Sequence, residues 1–103
     1  MVKFLEAVID QRNYSNGRLV PEAQIKARQE LLKLNKTSSI KEIEFLADLI
    51  NNSRSAYDVF DALVNGELDY SDQSIELSKA ILTLYVLSAK GYFKTPSIFT
   101  HQR

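Results

Sequence analysis

The sequence predicts an all-α fold, an antiparallel four-helix bundle with a short C-terminal tail. Three observations carry this: four segments repeat apolar residues at helical spacing, the residues between them stop helices rather than make hairpins, and both prolines stand where a helix begins or has ended. A chain of 103 residues closes one modest hydrophobic core, so the expected organisation is one helical bundle domain over 1–103. The helices are expected at about 2–13, 21–36, 39–65 with a kink or short break at 51–55, and 71–91, with a tail at 92–103.

The first segment places Phe4, Leu5, Val8 and Ile9 on one face, with Lys3, Glu6, Asp10 and Arg12 around the rest. Ser15-Asn16-Gly17 ends it as a turn, because Asn and Gly tolerate the positive φ of a tight reversal. Pro21 suits the first turn of the second helix, where its missing N–H has no intrahelical partner, and Glu22 suits the positive end of the dipole. Ile25, Ala27, Leu31, Leu32 and Leu34 are expected to form that helix's thin apolar side.

Ser39-Ile40-Lys41-Glu42 matches a capping box, in which the serine hydroxyl accepts from one exposed backbone N–H and the glutamate reaches back to another. Ile43, Leu46, Ala47 and Ile50 continue the stripe, and Tyr57, Phe60, Leu63 and Val64 resume it beyond Asn51-Asn52-Ser53-Arg54-Ser55. That polar run is poor helix former apart from its arginine. Asn65-Gly66 then has the form of a left-handed C-cap. For the last helix the N-cap is expected at Ser71 or Asp69, with Asp72 in the first turn. Its centre, Ala80 to Leu87, is apolar nearly all round, which calls for burial in the bundle or against a partner. Lys90 and Gly91 suit a last-turn cation and C-cap, and Pro96 keeps the aromatic tail that follows from being helical.

Charge is sorted along the chain although it sums to zero. Residues 1–37 carry seven Lys/Arg and four Asp/Glu, 38–76 two and nine, and 77–103 four and none. Such a balance argues against a general nucleic-acid binder, while the acid-free C-terminal block suits an anionic surface or an acidic partner, or complements the acidic middle. Cysteine is absent, which excludes disulfides and thiolate zinc sites and points to a reducing compartment. An acid within six residues of the start argues against a signal peptide, and no stretch approaches the roughly 20 apolar residues of a membrane span. A cytoplasmic protein is expected.

No catalytic grouping emerges. The single histidine, His101, lies two residues from the end, and the glycines at 17, 66 and 91 stand too far apart to cradle a phosphate. Asp58 with Asp61, and Asp69 with Asp72, share helix faces at i, i+3, but no Glu-x-x-His accompanies them, so solvated faces are expected rather than a metal or acid–base pair. Neither a cofactor nor a metal is expected, and the chain reads as no enzyme. Tyr57, Phe60 and Tyr85 are assigned to the core rather than to a nucleic-acid stacking platform, because few basic residues interleave them.

One stretch resembles a known family. From Asp61 to Phe93, about a third of the chain, a Gly-containing turn leads into Leu68-Asp69-Tyr70-Ser71-Asp72-Gln73-Ser74. Leu77, Ile81, Leu84, Leu87-Ser88 and Gly91-Tyr92-Phe93 follow. With four antiparallel helices and an aromatic end, this resembles the immunity proteins of pediocin-like (class IIa) bacteriocins, the enterocin A-type immunity proteins. The resemblance implies a cytosolic, non-catalytic protein that protects its cell from a pore-forming bacteriocin. It would act at the inner membrane face on the complex of bacteriocin with its receptor, the membrane components of the mannose phosphotransferase system. Recognition would fall to the C-terminal half, here Lys90, Tyr92, Phe93, Lys94, Ile98 and Phe99. The alternative is a small helical adaptor or inhibitor, antitoxin-like or phage-encoded, binding another protein through its acidic middle, Glu42 to Glu76.

Overall fold

The structure, a computed structural model, describes residues 1–66 and 68–89, with side chains to residue 86. Over these the chain is mostly helical: α1 (Val2–Ile9), α2 (Pro21–Leu34), α3 (Ile40–Asn52), α4 (Ala56–Asn65) and α5 (Ile75–Ala89). Gln11–Asn13 and Tyr70–Asp72 form single 3₁₀ turns. Two short strands, β1 (Tyr14–Ser15) and β2 (Arg18–Leu19), pair antiparallel with Tyr14 opposite Leu19 and Ser15 opposite Arg18.

The hairpin is a departure from the expected helix-stopping turn. Asn16 and Gly17 have φ of 54° and 75°, the two positive values that a two-residue hairpin loop needs to match the twist of its strands. Ser15-Asn16-Gly17 is a turn as expected, and Asn-Gly was the sequence signal for the hairpin as well. It shortens the first helix, which ends at Ile9 rather than near 13. Asp10 turns extended, and its carboxylate accepts from the Arg12 backbone N–H at 3.0 Å. The carbonyls left open at the end of α1 are filled from the 3₁₀ turn and the hairpin: Asn13 Nδ2 donates to the Ala7 carbonyl at 2.9 Å, and the Tyr14 hydroxyl to Val8 at 2.6 Å.

Helix α1 packs on α2 and α4, α3 bridges α2 and α4, and α5 lies against α4. Phe4, Val8, Leu19, Leu46, Val59 and Leu77 sit at the centre of one apolar cluster with no exposed surface. Each contributes roughly 1.5–3 kcal/mol relative to an exposed position. In α2 the buried stripe is Ala23, Ala27 and Leu34, with Leu31 half-buried, and the two alanines let α1 approach closely. Ile25 and Leu32 were expected on that side and are exposed. They lie seven residues apart on the opposite side of the helix from Ala23, so the apolar count misled where the angle did not.

The expected third helix is two helices. Ser53 and Ser55 are extended, and new partners meet the break: the Arg54 N–H donates to Asp58 Oδ2 at 2.8 Å, and Ala56 N–H to Gln11 Oε1 at 3.0 Å. At the end of α4, Gly66 has φ −70°, so it is not the left-handed cap expected. Its requirement is space, since a Cβ there would overlap the Ala62 carbonyl oxygen and press on the Phe45 ring. The last helix starts later than expected. Asp69 precedes and Ser71 belongs to the 3₁₀ turn Tyr70–Asp72, and the cap of α5 is Ser74, whose hydroxyl accepts from Leu77 N–H at 3.1 Å.

Candidate functional site

The residues expected to recognise a partner, Lys90, Tyr92, Phe93, Lys94, Ile98 and Phe99, lie outside the described residues, as do Gly91 and the rest of the tail. The structure does describe the helix that leads into them.

Helix α5 is seated by a narrow edge. Leu77 and Leu84 are buried and Ala80 and Ile81 half-buried, a stripe at i, i+3, i+4, i+7 that meets the core. Its other described apolar side chains, to residue 86, face outward: Ile75 is 75% exposed, Leu82 61%, Tyr85 58% and Val86 50%. Tyr85 was assigned to the core on sequence and stands outside it, because the stripe through Leu77 and Leu84 fills the available space. Ile40 and Tyr70, flanking the start of α5 in the fold, are also exposed. Exposed apolar side chains gathered on one helix make this the candidate surface for contact.

The start of α5 is held by α3. Ser39 Oγ accepts from Glu42 N–H at 3.0 Å, one of the two bonds expected of the capping box. The other is diverted: Glu42 is fully buried, and its Oε1 accepts from the Ser74 N–H at the head of α5. Its second oxygen, Oε2, and the buried Ser38 hydroxyl have no hydrogen-bond partner among the described residues. Ser39 Oγ donates to the Asp72 carbonyl at 2.8 Å, and Lys41 Nζ lies 3.7 Å from Asp72 Oδ2. Two helix N-termini are thus tied by crossed caps, a contact that no spacing within one helix announces.

Three of the four paired carboxylate residues have partners in the fold, and Asp69 is exposed. Asp58 holds the Arg54 N–H, Asp61 Oδ1 accepts from Asn65 Nδ2 at 3.0 Å, and Asp72 meets Lys41 and, through its carbonyl, Ser39. Among the described residues no three acidic or histidine side chains converge as a metal would require. Near the hairpin, Asp10 has its carboxyl held below the usual range by hydrogen bonds from the Arg12 guanidinium and backbone. The Tyr14 phenol is pushed well above its ordinary value, first by burial and then by the Asp58 charge.

Several clefts open on the surface among the described residues. One of about 240 Å³ lies between Phe45, Leu63, Leu68, Tyr70 and Ile81 beneath the α4–α5 connection. Another of about 480 Å³, lined by Arg18, Gln24, Asn51, Asn52 and Arg54, separates the hairpin from the end of α3. Neither joins a nucleophile to a positioned base. No described helix is long and apolar enough to cross a membrane. Comparison of the chain with protein-family models, with curated proteins and with solved structures finds no match.

Proposed function

We propose that this chain is a non-catalytic binding protein, and specifically a bacteriocin immunity protein of the pediocin-like type. On this reading α3 and α4 count as two arms of one broken helix in an antiparallel four-helix bundle. The observation that carries the reading is the outward apolar face of α5, Leu82, Tyr85 and Val86, on the helix that runs directly into Lys90, Tyr92, Phe93 and Lys94. Burial in the bundle or against a partner were the two outcomes that its composition allowed, and half-exposed side chains favour a partner. On this reading the partner is the complex of bacteriocin with the membrane components of the mannose phosphotransferase system, met at the inner membrane face from the cytoplasm.

The adaptor reading draws less support. Part of its acidic middle is engaged within the fold, with Glu42 buried and Asp58, Asp61 and Asp72 bonded to neighbouring residues, while Glu44, Asp48, Asp69 and Glu76 stand exposed. Expression in a bacteriocin-sensitive strain, challenged with a panel of pediocin-like peptides, tests the immunity function. Selective survival against one or a few peptides is the expected result. Uniform killing despite good expression overturns it.

A further inference from the structure

We propose that the chain pairs with a second copy of itself through α5, the two helices running antiparallel about a two-fold axis beside Leu82. Ile75, Leu82 and Val86 are spaced by seven and four residues and are all exposed, which makes a seam one helix wide. A seam of that width fits the side of another helix better than a broad planar surface.

Charge decides the direction. The described α5 carries two charged residues, Glu76 and Lys79, both toward its N-terminus. Parallel pairing would set Lys79 against Lys79 and Glu76 against Glu76. Antiparallel pairing about Leu82 separates both like pairs. It brings Lys79, three residues before the axis, to Tyr85, three residues after it, and Ser78 to Val86, four to either side. Lys79 and Tyr85 are both exposed, so an ammonium can lie over a phenol ring, and the small Ser78 leaves room for the branched Val86. Two-fold symmetry makes each contact twice.

The outward apolar side chains offer on the order of 500 Å² per copy, against about 800 Å² per partner in a standard stable interface. That area suits a reversible dimer rather than an obligate one. The inference rests on α5 alone and stands whether or not the immunity reading does. If both hold, the dimer covers the recognition face until a partner displaces the second copy.

The absence of cysteine from the chain gives a direct test. A Leu82→Cys variant of the full chain places one thiol beside the proposed axis, and Leu32→Cys places one at a comparably exposed site on α2. Mild oxidation should link Leu82→Cys chains in high yield and Leu32→Cys chains only slightly. Sedimentation equilibrium should show a dimer that Leu82→Glu weakens about a hundredfold, roughly tenfold for each of the two symmetric positions, with unchanged circular dichroism. Equal cross-linking of the two cysteine variants overturns the proposal. So does a wild-type chain that stays monomeric to about millimolar concentration, including one that sediments only with phosphatidylglycerol vesicles. Survival against bacteriocin is not read in either assay, so failure here leaves the functional proposal to its own test.

Discussion

Helices α1 and α5 are both rich in apolar residues, yet the fold treats them differently. Of the eight residues of α1, Phe4, Leu5, Ala7 and Val8 are buried, and Asn13 and Tyr14 close its carbonyl end. In α5, nearly twice as long, Leu77 and Leu84 are buried, while Ile75, Leu82, Tyr85 and Val86 stand half or more in water. The first helix is amphipathic, so one orientation satisfies its whole apolar face. The second is apolar on two faces, and a small domain can cover only one. Apolar composition therefore measures stability in α1 and surface for contact in α5.

Substitutions on the two helices sharpen this contrast. Phe4→Ala should have the largest effect, about 3–5 kcal/mol of lost stability, because its site is enclosed on all sides. Urea unfolding followed by circular dichroism measures it, and a loss below 1 kcal/mol would break the account of the core. Leu77→Ala on the seated edge of α5 should cost about 2–4 kcal/mol by the same measurement. If it does not, α5 is not a part of the cooperative unit.

Next comes the crossed cap. Glu42→Ala strands the Ser74 N–H and should cost about 1–3 kcal/mol, whereas Glu42→Gln keeps an acceptor for it and should cost less than about 1 kcal/mol. Equal losses in the two variants would mean that packing, not the hydrogen bond, holds the head of α5. Tyr14→Phe removes the bond to the Val8 carbonyl and should cost about 1 kcal/mol at neutral pH. Its pH dependence has a definite sign. The phenol's folded pKa is raised above the unfolded value near 10, so its contribution is full below pH 10. Above that the unfolded chain ionises first and stability falls. Tyr14→Phe should flatten that alkaline loss, as unfolding midpoints between about pH 9 and 11 would reveal. The smallest effect is expected from Leu82→Ala on the outward face, within about 0.5 kcal/mol at dilute concentration. A loss as large as that of Leu77→Ala would erase the distinction between the two faces.

Much of the helical layout was legible in the sequence. Pro21 marks the first residue of α2, Ser39 caps α3, and the polar run at 51–55 interrupts the chain where α3 gives way to α4. These are signals within four residues of one another, and local hydrogen bonding reads them directly. The hairpin was legible too, but Asn16-Gly17 was weighed as a helix stop. The cap of α5 was misplaced for a different reason: Asp69, Ser71 and Ser74 are all chemically able to cap, and the 3₁₀ turn at Tyr70–Asp72 selects Ser74. As for the candidate site, the sequence marked α5 as needing a cover and left open which of its faces would lack one.

The sequence by itself determined that this chain is helical, where α2 and α3 begin, and that the last helix has more apolar surface than one contact can hide. Those properties follow from backbone capping and side-chain periodicity, which act over a turn or two. Tertiary structure decided that Glu42 serves α5 rather than its own helix, that Ile25 and Leu32 face water, and that Leu77 and Leu84 are buried in place of Leu82 and Tyr85. A buried side chain is chosen by which neighbours arrive around it, and those neighbours come from residues far away in the chain.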